Sequence, residues 1–395
     1  MRASAGGPRS RVRRFTTPDP NEDFAANPVE LFFDLAFVFA FSQLVGRVVS
    51  DPSADGLAEA GLLFLLLWLP WTQFTWSLNA VSAHSRPVQV VVLIATAASV
   101  PMAASVSSAL EDAGPAFAIP LAIILGTGLA VMVAGYEVGS AEFVSSVRYS
   151  IPGLVTMALL VAGAFVDEGL RTALWVAAMA AVLFATVRAG SGDWVVRPRH
   201  FAERHGLIVI IALGEVIVAT ALPLVIGLEE GEGIPARSYV SLGAAGVFAC
   251  LLWWAYFDRP QPGFEHGLEA LHGRQRARYA RDVYTYLHAP IVAGVIVAAA
   301  ALEEITLHPD DELPLDFRLM LFVGLALFAS GIEGAAFRSH HLVPPERAVA
   351  LVVMAVVILP ALSVPGLTLL VVVDAVLLAA LVIEHVRKER RQPLS

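Results

Sequence analysis

Glu30 and Asp34 stand four residues apart inside an otherwise apolar run spanning residues 29–49. Four residues is about one helical turn, so both carboxylates project from one face of a helix. Two carboxylates in that relation can share a proton or hold a cation between them. A plainer reading makes them solvated or capping groups at a helix end. That suits Glu30 better than Asp34, which lies a turn further into the run. Glu215 is a more isolated acid. It follows Glu203 by twelve residues, between the apolar segments 208–213 and 216–219. Twelve residues of helix rise about 18 Å. A carboxyl in such surroundings has to be paired, protonated or lining a cavity, and Gly214 beside it would allow close backbone approach. Asp374 sits in a similar apolar stretch. Tyr284 and His288 share a helix face, as do Asp282 and Tyr286. An imidazole with its ordinary pKa of ~6.5 suits a proton relay, and a core histidine satisfied by hydrogen bonds is the plain alternative. Glu203-Arg204-His205 and Asp258-Arg259 could serve as interfacial catalytic groups, or as salt bridges tying helix ends together.

The elements that must carry these groups follow from composition. Of 395 residues, 57% are hydrophobic and only 15% are charged, with mean hydropathy +0.70. A soluble domain carries roughly 25% charged residues, so lipid faces much of this surface. A transmembrane helix needs ~20 mostly apolar residues. Twelve stretches qualify: 29–49, 57–79, 87–109, 115–136, 146–166, 169–189, 203–226, 236–257, 282–302, 316–337, 345–362 and 364–386. They lack the alternation of a membrane barrel, and backbone groups in hydrocarbon must bond within their own segment. The expected fold is an all-α polytopic membrane protein.

Charge sorting orients it. With the N-terminus inside, the cytoplasmic segments hold 22 of the 26 Lys and Arg, leaving Arg47, Arg171, Arg237 and Arg318 outside. That is the positive-inside pattern, and it places both termini in the cytoplasm. Acidic residues gather at the other side, from Asp51 and Asp55 to Asp310, Asp311 and Glu312. The basic tail with Arg13 and Arg14 precedes a run too long and too acidic for a signal peptide.

The expected organisation is a basic tail 1–27, a six-helix half 28–190, a linker 191–202, a second six-helix half 203–386 and a basic tail 387–395. A cytoplasmic loop at 258–281 interrupts the second half and could hold a surface helix from about Glu265 to Arg278. Paired features suggest an internal repeat. Ala109-Leu110-Glu111-Asp112 matches Ala301-Leu302-Glu303-Glu304, and Arg86-Pro87 matches Arg259-Pro260 after tryptophan-bearing helices. Six spans per half would make a parallel 6+6 repeat.

The segment Pro28-Val29-Glu30-Leu31-Phe32-Phe33-Asp34-Leu35 resembles the opening motif of the bacterial low temperature requirement protein A family. Three later segments resemble it in the same order. They are Glu203-Arg204-His205-Gly206-Leu207 through Leu213-Gly214-Glu215, then Leu252-Trp253-Trp254-Ala255-Tyr256-Phe257-Asp258, then Tyr284-Thr285-Tyr286-Leu287-His288. A looser match runs from Glu333 to Arg338. The resemblance implies a polytopic protein of the bacterial inner membrane. It implies no settled activity.

Several chemistries lack their residues. No phosphate-binding loop, dinucleotide fingerprint, nucleophile elbow or zinc-protease motif occurs. The single cysteine, Cys250, excludes an intramolecular disulfide and a multi-thiolate metal site. No cofactor, metal or nucleic-acid partner is implied; the partners expected are the lipid bilayer and a small solute or ion. The leading expectation is a proton- or cation-coupled secondary transporter with Glu215, Asp34, Glu30, His288 and Tyr284 among its working groups. A lipid enzyme using Glu30, Asp34, Glu203, His205 and Asp258 at the interface is the alternative, and a channel or sensor of membrane state is a third. A lateral opening at headgroup depth lined by Asp34 and His205 would favour the enzyme.

Overall fold

A computed structural model describes residues 26–81, 83–189, 192–229, 231, 233–340 and 345–389. Most of both expected tails (1–25 and 390–395), with Gly190, Glu230, Glu232 and His341, lies outside the described residues. The described chain is helical: α1 (Pro28–Ser50), α2 (Ala54–Ala80), α3 (Arg86–Ala104), α4 (Gly114–Ala134), α5 (Ala141–Gly163), α6 (Glu168–Ala189) and α7 (Pro198–Glu229). Then follow α8 (Ala236–Phe257), α9 (Pro260–Glu269), α10 (Gly273–Ala280), a π-helical turn (Arg281–Leu287), α11 (His288–Leu307), α12 (Leu315–His340), α13 (Pro345–Ile358) and α14 (Gly366–Glu389). Among the described residues no strand forms beyond one bridge between Glu312 and Pro365.

Local chemistry sets several helix starts. Asn27 accepts from Val29 N, and Glu30 reaches back to Asn27 N at 3.2 Å, a capping box that opens α1. Ser53 and Ser140 cap α2 and α5 by accepting from Gly56 N and Phe143 N, without a returning side chain. Pro198 begins α7 five residues earlier than the sequence suggests, since proline is well placed in a first turn. The surface helix expected near Glu265–Arg278 is instead two, α9 and α10, divided at Gly273 with φ +53°.

Among the described residues eleven helical runs are long and apolar enough to cross a membrane, with α8–α9 and α10–α11 each counted as one run. The twelfth expected span, 345–362, is shorter than expected: α13 has 14 residues, about 21 Å against a hydrocarbon core of ~30 Å. Its end nevertheless reaches the far side of the bundle. Arg318, near the start of α12, donates to Leu359 O at 2.9 Å, and Gly366 at the start of α14 bonds Asp311 O in the α11–α12 loop. Residues beyond the helix complete that passage.

Three helices form the centre. α1, α7 and α11 pack on one another, and their cross-contacts rise together, Glu30 to His200, Ser42 to Glu215, and Phe201 to Tyr284, so all three run the same way. α2 runs against them, with Trp71 on Asp34 and Phe64 on Phe41. α11 and α12 cross at glycines: a Cβ on Gly294 would stand 2.4 Å from Gly324 O. Small residues there allow the backbones to meet. The close approach expected at Gly214 does not occur, because nothing lies within 4 Å of its Cβ position.

Ion pairs lie at both ends of the bundle, and one end is rich in arginine, with Arg274, Arg276, Arg278 and Arg281 in α10 and the turn after it. That end carries Arg274 on Asp193, Arg338 on Asp282 and Arg347 on Glu384. The other holds Arg47 between Glu59 and Glu111, and Arg237 on Asp310. Arg338 meets Asp282 at 3.1 Å, while Glu333 pairs with Arg347 at 3.3 Å.

Candidate functional site

The polar groups on α1, α7 and α11 form two levels. At the lower level four ionisable side chains are sealed from solvent. Glu30 Oε2 lies 2.8 Å from His200 Nε2 and 3.4 Å from Arg204 Nη1. Asp34 Oδ1 accepts from Arg204 Nη2 at 2.9 Å and from Trp71 Nε1 at 2.9 Å. The guanidinium also lies over the Trp71 ring, 5.8 Å from its centre. The two carboxylates therefore do not share a proton face to face, as one sequence reading allowed. One guanidinium on α7 clamps both. The spacing explains the fit: Glu30 and Asp34 are one turn apart on α1, His200 and Arg204 one turn apart on α7, and parallel helices bring the pairs level. Within this buried set Asp34 Oδ2 and Arg204 Nε have no hydrogen-bond partner.

Beside the clamp lies a wall of rings. His205 Nδ1 bonds Phe201 O at 2.8 Å. A carbonyl can only accept, so Nδ1 carries the proton. Nε2 is then the open position, and it has no partner. The ring sits edge-on to Trp71 at 4.9 Å and is 5.2 Å from His288. His288 is fixed likewise: Nδ1 donates to Val283 O at 2.9 Å, and Nε2 receives the Tyr256 hydroxyl at 2.7 Å. Tyr284 stacks on His288 with centres 4.9 Å apart, and its hydroxyl is buried without a partner. The π-helical turn widens the backbone where Tyr284 sits, a distortion frequent at functional sites. His200 and His205 are buried within a span as well, in α7.

The second level is Glu215. Both its oxygens lie on the Ser42 hydroxyl, at 2.7 and 2.9 Å. One hydroxyl has one proton to give, so the carboxylate is incompletely satisfied. Among the described residues no Arg, Lys or His stands within ion-pairing distance of it. Glu303 on α11 bears on it with like charge.

The remaining sequence candidates lie elsewhere. Glu203 Oε2 accepts from Ala26 N at 3.0 Å and ties down the segment before α1. Asp258 is exposed and meets Arg259 at 3.2 Å. Asp374 is buried on α14 with Oδ1 unpartnered, and no hydrogen bond joins it to the cluster. Among the described residues no group of three metal-ligating side chains comes together. Sequence reasoning passed over His200, Ser42 and Tyr256, and weighed Arg204 only as an interfacial group or a helix-end salt bridge, not as a clamp on Glu30 and Asp34. The matched spacing of the two charged pairs was a usable signal for His200 and Arg204. Nothing local marked Ser42 or Tyr256.

Comparison with known proteins gives two matches. Residues 25–382 match the family described as "Bacterial low temperature requirement A protein". An uncharacterized protein of Rhizobium meliloti is 30% identical over 317 residues, covering 76% of this chain and 75% of that one. No solved structure matches.

Proposed function

From the premise that this chain belongs to the bacterial low temperature requirement A protein family, we propose that it is a secondary transporter of a small solute, coupled to protons or another cation. The observation that carries this reading is Glu215, an acid buried in the apolar centre whose hydrogen bonds come from one serine hydroxyl. Such a group is stable when protonated or when a cation is beside it. A carrier needs a site that changes occupancy in that way. The Glu30–His200–Arg204–Asp34 clamp lies on the same two helices as Glu215 and Ser42, α1 and α7, nearer the arginine-rich end. The imidazoles of His205 and His288 stand close by to move protons.

In this reading the arginine-rich end faces the cytoplasm of the inner membrane, with both termini there. The 6+6 organisation belongs to the same reading. It is supported by helix packing that runs α3–α4–α5–α6 in one half and α11–α12–α13–α14 in the other. Asp34 and His205 are enclosed by Trp71 and Phe201 instead of opening toward headgroups, which argues against lipid chemistry at that point.

The test uses the full chain reconstituted in vesicles with a trapped pH dye. Sodium, amino acids, organic acids and sugars are offered as separate classes, and infrared difference spectra follow protonated carboxyl groups. One solute class should move protons in the wild type and not in Glu215→Gln, with a carboxyl band that the variant lacks. If Glu215→Gln moves the same solute at the same rate, or no carboxyl band depends on Glu215, the carrier site as drawn is wrong.

A further inference from the structure

The α5–α6 hairpin leans on α4 and touches α2 only lightly. A crevice is left between it and the centre. Its upper part is a groove of about 690 Å³ walled by α2, α6 and α11, including Leu65, Trp68, Val176, Leu183 and Ala293. On α2 the wall runs from Ala58 to Thr72, about 21 Å at 1.5 Å per residue. One leaflet of hydrocarbon is about 15 Å deep, half of ~30 Å. Leu65, Val176 and Leu183 are also exposed on the outer surface, so the groove opens sideways toward lipid.

At the arginine-rich end the lining changes. Tyr149 is shared between the groove and a second cavity of about 570 Å³ that holds Arg148, Arg188 and Ser145. No carboxylate lines this cavity. Arg148 has no ion-pair partner among the described residues, and Arg188 lies over the Phe184 ring at 5.5 Å. Thr72, Thr186 and Thr285 line the groove near Tyr149 and a small adjoining cavity of about 40 Å³. The crevice thus passes from two guanidinium groups, past Tyr149, into an apolar slot open to the bilayer.

We propose that this crevice binds an anionic glycerophospholipid, its phosphate on Arg148 and Arg188 and one acyl chain along the groove between α2, α6 and α11. The charge pattern decides the class. Paired basic groups between helices at one membrane face recognise anionic headgroups, whereas a zwitterionic lipid would gain little from them. The lipid would bridge the hairpin to the centre and set how closely α6 approaches α11.

The test reconstitutes the full chain in phosphatidylcholine nanodiscs and adds phosphatidylglycerol with brominated acyl chains. Trp68 lines the groove, so bound bromine quenches its fluorescence, and Trp68→Phe identifies its share of the signal. Quenching by brominated phosphatidylglycerol should appear at a far lower mole fraction than with brominated phosphatidylcholine. Arg148→Gln with Arg188→Gln should weaken it about thirty-fold, from two charges at ~1 kcal/mol each and tenfold per 1.4 kcal/mol. The double lysine variant should retain it, and Ala293→Phe should reduce quenching by filling the slot. Equal quenching by both lipids overturns the proposal, as does an unchanged response in the double glutamine variant. Competition by soluble glycerol phosphate also overturns it, by reassigning the arginines to a free phosphate. No gradient or solute enters this measurement, so its failure leaves the reading of Glu215 intact.

Discussion

Replacing Arg204 by methionine removes the guanidinium that lies 3.4 Å from Glu30 and 2.9 Å from Asp34. All three side chains are buried. The substitution therefore leaves acids in the interior with less opposing charge, which costs about 3–5 kcal/mol for a broken buried pair. Asp34 loses most, since its other hydrogen bond is the Trp71 indole and its Oδ2 has none. Adding Asp34→Asn to that background should recover about 1–3 kcal/mol, the desolvation cost of a stranded polar group. The triple change Glu30→Gln, Asp34→Asn, Arg204→Met should return to within about 1–2 kcal/mol of wild type, because removing a whole buried ionic set is often neutral. The assay is SDS titration of purified protein in detergent, read by tryptophan fluorescence, with the coupling taken from the mutant cycle. A loss below about 1 kcal/mol for Arg204→Met alone would refute the clamp. So would a double variant no more stable than the single.

Two further substitutions test placement. Gly294→Ala drives a Cβ to 2.4 Å from Gly324 O and should cost about 1–3 kcal/mol by separating α11 from α12, whereas Gly214→Ala meets nothing within 4 Å and should be neutral or stabilise by up to about 1 kcal/mol; SDS titration distinguishes them. Outside the spans, Arg274 donates two hydrogen bonds of 2.9 Å to Asp193 and holds its carboxyl below the usual range. A depressed folded pKa means the pair's contribution is complete above the unfolded value of ~3.9 and is lost as pH falls through the lower folded value. Arg274→Ala should therefore destabilise slightly at neutral pH, the pair being largely exposed, and not at all in strong acid, as unfolding at the two pH values will report.

What was legible in the chain divides by distance. Periodicity is not needed to find a membrane helix, only length and apolarity, and so eleven of the twelve expected spans correspond to long apolar helical runs. The exception, 345–362, is helical only over Pro345–Ile358, because hydropathy measures apolarity and does not record where a backbone turns. The arginine bias likewise gave an expected orientation, since each charge avoids hydrocarbon on its own account. Glu30, Asp34, Glu215, Tyr284 and His288 stood out for the same local reason: an ionisable or hydroxyl-bearing residue in an apolar run is conspicuous without a partner.

Their partners were a matter of tertiary structure. That Glu30 and Asp34 hold one guanidinium instead of one proton follows from α1 and α7 lying parallel and level, a relation between residues 170 positions apart. Ser42 becomes the support of Glu215 across 173 positions, and no feature of a serine in a helix announces it. The glycine that permits close approach proved to be Gly294 and not Gly214, because contact depends on which helix face meets a neighbour. The sequence by itself determined that the chain is a bundle of membrane helices with acids and imidazoles in its apolar interior, since solvation acts on each segment separately. Only the tertiary structure decided which of these groups meet, because hydrogen bonds and ion pairs act over a few ångströms and depend on helix rotation and register.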